Sequence, residues 1–365
     1  MPLSDRVLMG PGPSNPYPEA VQALGLPMLG HLDPAFVSVL DETCDRLRTV
    51  FRTANPMTLP ISGTGSAGME AAFVNLVDPG DVVVVGVNGV FGERMCDVAG
   101  RLGAEVVRVE APWGQPVDPA ALLGAHPSPK IIAVVHAETS TGARTDIAPL
   151  GQGKGDALLL VDCVTSLGGI EVDVDGWGVD VAYAGTQKCL GVPPGLAPLT
   201  LGPRACERLV ERSPSWYLDL RMLGRYTGPA AGPRVYHHTA PVSMIFSLHA
   251  GLGALLDEGL DGAIARHREC GELLHRGLEA LGLRLFAAEG HRLPELTTVW
   301  VPDGVDAGGE AKVRSVLLER YGIEIGGGLG EFTGRVWRIG CMAHTARPRN
   351  VTLLLGALGE VLSER

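Results

Sequence analysis

Residues 157–188 read ALLLVDCVTSLGGIEVDVDGWGVDVAYAGTQK, and two short runs within them decide the fold. Ala157–Asp162 is apolar up to its final acid, without the alternation of a half-exposed strand. Val179–Ala184 is apolar but for one aspartate. Such runs are the pattern of strands covered on both faces. Working outward, the same pattern recurs at Asp81–Val87, Glu105–Val109 and Ile131–His136, with helical spacing between the runs near 91–102 and 118–124. Helices are also expected over about 34–52, from Phe36, Leu40, Cys44 and Leu47, and after residue 65, from Met69, Ala72, Phe73 and Leu76. Alternating strands and helices predict an α/β protein built on a large, mostly parallel sheet with helices on both faces (α/β/α). Sites in such sheets lie beyond the carboxyl ends of the strands.

The 365 residues favour two packed regions over one. Residues 1–18, rich in Gly and Pro, read as an N-terminal arm, 19–255 as the large α/β domain, and 256–365 as a smaller α+β domain. In the last region the strand Thr297–Val301 and the strand-like Val336–Ile339 lie among three helical patterns. A net charge of −11 argues against nucleic acid or an anionic membrane as the main partner. No apolar run approaches the roughly 20 residues of a membrane span, and no leader pattern opens the chain, so a cytoplasmic location is expected. The seven cysteines form no C-x-x-C pair, which points away from zinc and from a disulfide framework.

Only four lysines occur: Lys130, Lys154, Lys188 and Lys312. Lys188 follows a buried strand, in a segment whose glycines and prolines constrain the backbone. A partly desolvated lysine there can lose its proton and attack a carbonyl, although a surface turn would look the same. Asp162 ends the neighbouring strand, where it can meet a cation such as a protonated pyridine nitrogen, or simply cap Cys163–Leu167. The two together, 26 residues apart on successive strand ends, are more specific than either alone.

Ser62-Gly63-Thr64-Gly65-Ser66 opens a helix and offers free N–H groups for a phosphate. Gly63, Gly65 and Gly68 also match G-x-G-x-x-G. A dinucleotide fold is not supported, because Pro60 interrupts the preceding strand and no acid ends the next one. Phe91 can stack on a planar ring or fill the core. The Thr139 hydroxyl can reach a cofactor or make a turn. Tyr236-His-His-Thr239 is dense in donors but lacks a Glu or Cys at ligand spacing, so no metal is expected. Arg338 can fork onto a carboxylate or form an ordinary ion pair.

Taken together, Gly10-Pro-Gly-Pro-Ser-Asn, Ser62-Gly-Thr-Gly, Val161-Asp-Cys, Gly185-Thr-Gln-Lys, Tyr236-His-His-Thr and Arg338-Ile-Gly resemble the class V pyridoxal-phosphate aminotransferases. Within these the chain is similar to the alanine–glyoxylate and serine–pyruvate (serine–glyoxylate) family. The resemblance implies a fold-type-I homodimer and ping-pong transamination through a Schiff base, with alanine or serine as donor and glyoxylate or pyruvate as acceptor. It implies that Lys188 holds the pyridoxal 5′-phosphate and that Asp162 pairs with its ring nitrogen. Gly63, Thr64, Gly65, Ser66 and Gln187 would hold the phosphate, Phe91 would stack on the ring, and Thr139 would bond to the cofactor. Tyr236 and Thr239 would serve the partner subunit's cofactor. Arg338, the Gly10-Pro11-Gly12 turn and His31 would meet the substrate. Phe91, Thr139 and Ser66 stand where the family often has tryptophan, serine and histidine.

Met28-Leu-Gly-His-Leu-Asp-Pro-Ala-Phe and Gln187-Lys-Cys-Leu also resemble the ureidoglycine–glyoxylate branch. That branch has amides at the positions of His31 and Tyr236, and amides suit a ureido group better than these rings do. Alanine or serine is therefore favoured. Two further readings are a desulfurase using Cys341 and a non-catalytic cofactor-binding regulator. The first lacks a loop motif, and the second lacks a basic DNA-binding extension.

Overall fold

The computed structural model describes residues 5–227 and 234–364. Its main sheet has seven strands: β1 (Met57–Ser62), β2 (Val82–Val87), β3 (Glu105–Glu110), β4 (Ile131–Val135), β5 (Leu158–Asp162), β6 (Val181–Tyr183) and β7 (Leu196–Leu201). Their spatial order is β1-β7-β6-β5-β4-β2-β3. The five strands from β6 to β3 are mutually parallel, and β7 runs antiparallel to both its neighbours. Every residue of β4, β5 and β6 is buried, as their uninterrupted apolar runs require.

Pro60 does not break its strand, contrary to the sequence expectation. It pairs with Pro198 across β1 and β7. The Pro198 carbonyl accepts from Ala184 N on the β6 side, so that pair exchanges no bonds and the Pro60 nitrogen faces the open sheet edge. An edge strand needs no donor there. The same proline chemistry hid β7, a strand that the sequence pattern does not predict.

Seven longer helices cover the sheets: α1 (Pro34–Phe51), α2 (Gly65–Leu76), α3 (Val90–Arg101), α4 (Val242–Glu258), α5 (Leu260–Ala280), α6 (Ala307–Tyr321) and α7 (Pro348–Ser363). A second sheet, β8 (Leu296–Trp300), β10 (Val336–Gly340) and β9 (Gly326–Gly327) in that order, packs against α5 and α6, and α7 packs against those two helices. Two principal apolar cores result. One surrounds the seven-stranded sheet and the other gathers around Trp337, Val313, Leu274 and Leu354. The N-terminal arm joins both. Val7–Leu8 pairs in parallel with Ile323–Glu324 and Met9 is buried in the second core, whereas Tyr17 and Ala20 belong to the first.

Candidate active site

Asp162 is the last residue of β5, in register with Tyr183 on β6 and Val135 on β4. Its side chain turns into the protein. Oδ1 accepts the Val164 N–H at 2.8 Å, and Oδ2 accepts the Tyr183 hydroxyl at 2.8 Å. Asp162 therefore caps the following turn and is also a buried acid. Burial pushes its carboxyl up to about 7, with nearby Glu138 adding and Lys188 opposing.

Lys188 lies five residues past the end of β6 and is 8% exposed. The N-terminal arm covers it. Its Nζ donates to the Pro11 carbonyl, Ser14 Oγ donates to the Lys188 carbonyl at 2.9 Å, and Ser14 N donates to the Gln187 carbonyl at 2.9 Å. A Cβ on Gly12, which sits at φ +107°, would lie 2.7 Å from Nζ, so only glycine permits this approach. Burial, and then the Arg338 charge, bring the ammonium down to about 8. The neutral amine is thus accessible near physiological pH.

The Gly63–Ser66 loop leads from β1 into α2. Thr64 caps the helix without a side-chain bond, leaving N-terminal amide groups for an anion. The loop packs tightly over the Asp162 turn: a Cβ on Gly65 would lie 2.8 Å from Val164 Cγ2. Gln187 Oε1 is buried nearby beside Gly185 and accepts no bond. Ser66 Oγ accepts Arg94 Nη1 at 3.1 Å, and that guanidinium lies 4.9 Å from the centre of the Phe91 ring.

Arg338 reaches the site from β10. Nε donates to the Gly327 carbonyl at 2.7 Å and Nη1 to the Thr139 carbonyl at 3.4 Å. Burial lowers its guanidinium to about 10, with Glu138 opposing, so it remains a cation at neutral pH. Thr139 Oγ1 lies 2.5 Å from Thr165 Oγ1, and both residues are buried.

Tyr236 and Thr239 are exposed rather than buried with Lys188 and Asp162. The Tyr236 ring lies 5.1 Å from that of His31, whose carbonyl accepts the Tyr226 hydroxyl at 2.6 Å. His238 Nε2 sits 3.3 Å from Ser62 Oγ, so this segment borders the Gly63–Ser66 loop. Cys341 lies fully buried in the second core, where burial pushes its thiol up, far from what a mobile sulfur carrier requires. Three residues of the site are not evident from the sequence: Tyr183, Arg94 and Glu138. Glu138 carried a usable signal, since it lies just past the carboxyl end of β4.

The buried acid, the desolvated lysine, the open helix N-terminus and the unpartnered Gln187 amide oxygen fit the ring nitrogen, aldehyde and phosphate of pyridoxal 5′-phosphate. The family model for class V aminotransferases matches residues 15–335, and the chain belongs to that family of pyridoxal-phosphate enzymes of fold type I. It is 40% identical to an alanine–glyoxylate aminotransferase of Drosophila melanogaster, over 99% of this chain and 93% of that one. It is 38% identical to a (S)-ureidoglycine–glyoxylate transaminase of Bacillus subtilis, over 98% and 90% of the two chains. The solved alanine–glyoxylate aminotransferase of Nostoc sp. matches with a TM-score of 0.94 at 46% identity, covering 99% of this chain and 96% of that one.

Proposed function

We propose that this aminotransferase moves the amino group of alanine or serine to glyoxylate or pyruvate. The observation that carries the reading is the convergence of Lys188, Asp162 and Arg338 in one buried cluster, each within electrostatic reach of Lys188. When bound, pyridoxal phosphate supplies the carbonyl that takes up the amino group and a ring that draws electrons from the substrate's α-carbon. Asp162 Oδ2, already oriented by Tyr183, holds the ring nitrogen's proton in place. Lys188 Nζ, which loses its proton near pH 8, takes the α-proton and delivers it two bonds away, the displacement that a transamination requires. Arg338 forks onto the α-carboxylate and so aims the α-hydrogen at Nζ. The Pro11–Gly12 backbone covers Nζ and shields it from water.

Arg338→Ala raises the KM for the amino donor by about 10- to 100-fold with a smaller loss of kcat, the cost of one charge-assisted pair. Steady-state kinetics with each donor check this. An unchanged KM for every donor would place the carboxylate elsewhere.

Tyr236 and Thr239 are assigned to the cofactor phosphate of a second copy of the chain. Support comes from the apolar side chains exposed among these residues and their neighbours, including Met28 (69%), Leu32 (54%) and Trp216 (58%). A cytoplasmic location is part of the same proposal. It is supported by seven free cysteines, and among the described residues no helix is long and apolar enough to cross a membrane.

A second reading, ureidoglycine as donor, draws on the Bacillus subtilis relative. One experiment separates the two: absorption spectra of the cofactor-loaded protein mixed in turn with alanine, serine, cysteine and ureidoglycine. The expected result is loss of the coloured band with alanine or serine and its return on adding glyoxylate. A response to ureidoglycine alone would transfer the protein to the second reading, and sulfide release from cysteine would overturn both.

A further inference from the structure

The first turn of α3, which carries Phe91, ends its amide donors on two side chains of the loop after β4. Val90 N donates to Ser140 Oγ at 3.0 Å and Phe91 N to Glu138 Oε2 at 3.1 Å. The Gly92 N–H also reaches the Glu138 carboxylate. Ser140 adds its own N–H at 3.0 Å and its hydroxyl at 2.5 Å, both to Oε1. Glu138 is wholly buried. A Cβ on Gly89 would lie 2.4 Å from Ser140 Oγ and 2.5 Å from the Glu138 carboxyl carbon, so the chain gives up a side chain to admit this acid. Burial alone drives a carboxyl toward its neutral form, but every partner here donates. A proton on either oxygen would have nothing to bond to, and the helix N-terminus favours the anion.

The charged groups around it come from several elements. Lys188 follows β6, Asp162 ends β5 and Arg338 lies on β10, and Glu138 acts electrostatically on all three. On α3 itself, Arg94 is bonded to Ser66 and Glu93 to Arg108. The next residue, Thr139, offers its carbonyl to Arg338. Glu138 thus ties the ring-stacking turn to the carboxylate-binding arginine through two adjacent residues.

We infer that Glu138 is a positioning residue for the proposed transamination, an inference that rests on that reading of the site. Its carboxylate locks the Phe91 turn in place, and its charge joins those of Cys189 and Asp162 in favouring the Lys188 ammonium. Removing that charge makes the Lys188 ammonium easier to deprotonate, so its titration moves to lower pH.

The test follows uptake of pyridoxal phosphate by the cofactor-stripped full-length chain, by absorbance, as a function of pH. In the wild type the uptake rate rises through about pH 8, where Lys188 loses its proton. In Glu138→Gln the midpoint falls by about a few tenths of a pH unit. The cofactor is also held more weakly, because the amide's NH2 faces donors. Ser140→Ala keeps the acid but removes the hydroxyl that links it to the Val90 amide, so it weakens cofactor retention by less than Glu138→Gln, and it decides the matter if Glu138→Gln does not fold. An unmoved midpoint in folded Glu138→Gln, or unchanged retention in Ser140→Ala where Glu138→Gln does not fold, would reduce Glu138 to a helix cap and overturn the assignment alone. A wild-type chain that took up no pyridoxal phosphate would overturn the underlying reading, and this assignment with it.

Discussion

Lys188→Ala lowers kcat/KM by at least about 10⁴-fold, because in the proposed reaction one side chain serves both as the cofactor's attachment point and as the base that moves the α-proton. Pyridoxal phosphate still binds through the α2 N-terminus and Asp162, but without the covalent link it washes out on dialysis. Dialysis followed by absorbance reads the first effect, and steady-state transamination reads the second. Normal turnover in this variant would remove Lys188 from its role. The pH dependence of wild-type loading has a definite sign. The Lys188 ammonium is depressed to about 8, so the nucleophilic amine becomes abundant as pH rises through 8 rather than near the usual lysine range. Asp162 is raised to about 7, so the carboxylate that would hold a ring cation is lost as pH falls through 7. Both groups make loading faster and tighter at pH 8 than at pH 6.

Asp162→Asn retains cofactor yet loses about 10²- to 10³-fold in kcat, since a neutral amide cannot keep the ring nitrogen protonated. The amide oxygen can still accept from either Val164 or Tyr183, though not from both, and the fold around β5 persists. Comparing kcat with the cofactor dissociation constant separates this electronic role from a binding role. Unchanged kcat would show that the ring needs no anion at its nitrogen.

Lys188 and Asp162 are legible in the sequence because their signal is local. Each follows an apolar strand, and strand ends in a parallel sheet share one rim. Arg338 is legible in the same way, from a strand-like segment bearing one buried cation. Glu138 carries the same strand-end signal, but its partners on the Phe91 turn do not show in any short window, and the importance of Tyr183 depends on β6 lying beside β5. Arg94 depends on how α3 lies against α2. Pro60 and Pro198 mislead for a different reason. Proline is disfavoured in strands through its missing donor, and only the pairing pattern reveals that Pro60 needs none at the sheet edge, while Pro198 keeps its place through its carbonyl, which accepts from Ala184. Tyr236 and Thr239 lie at the surface, where their assigned role requires another chain.

The arm has a mechanical meaning. The arm leaves the second core at Met9, passes over Lys188 and enters the first core at Tyr17. The chain crosses between them again along α5, whose Ala263 belongs to the first core and whose Cys270 and Leu274 belong to the second, and after β10, where Ala343 belongs to the first core and Ala346 to the second. Of these crossings the arm is the one laid directly on the lysine, so a shift of one half against the other would be transmitted through it to the reacting nitrogen.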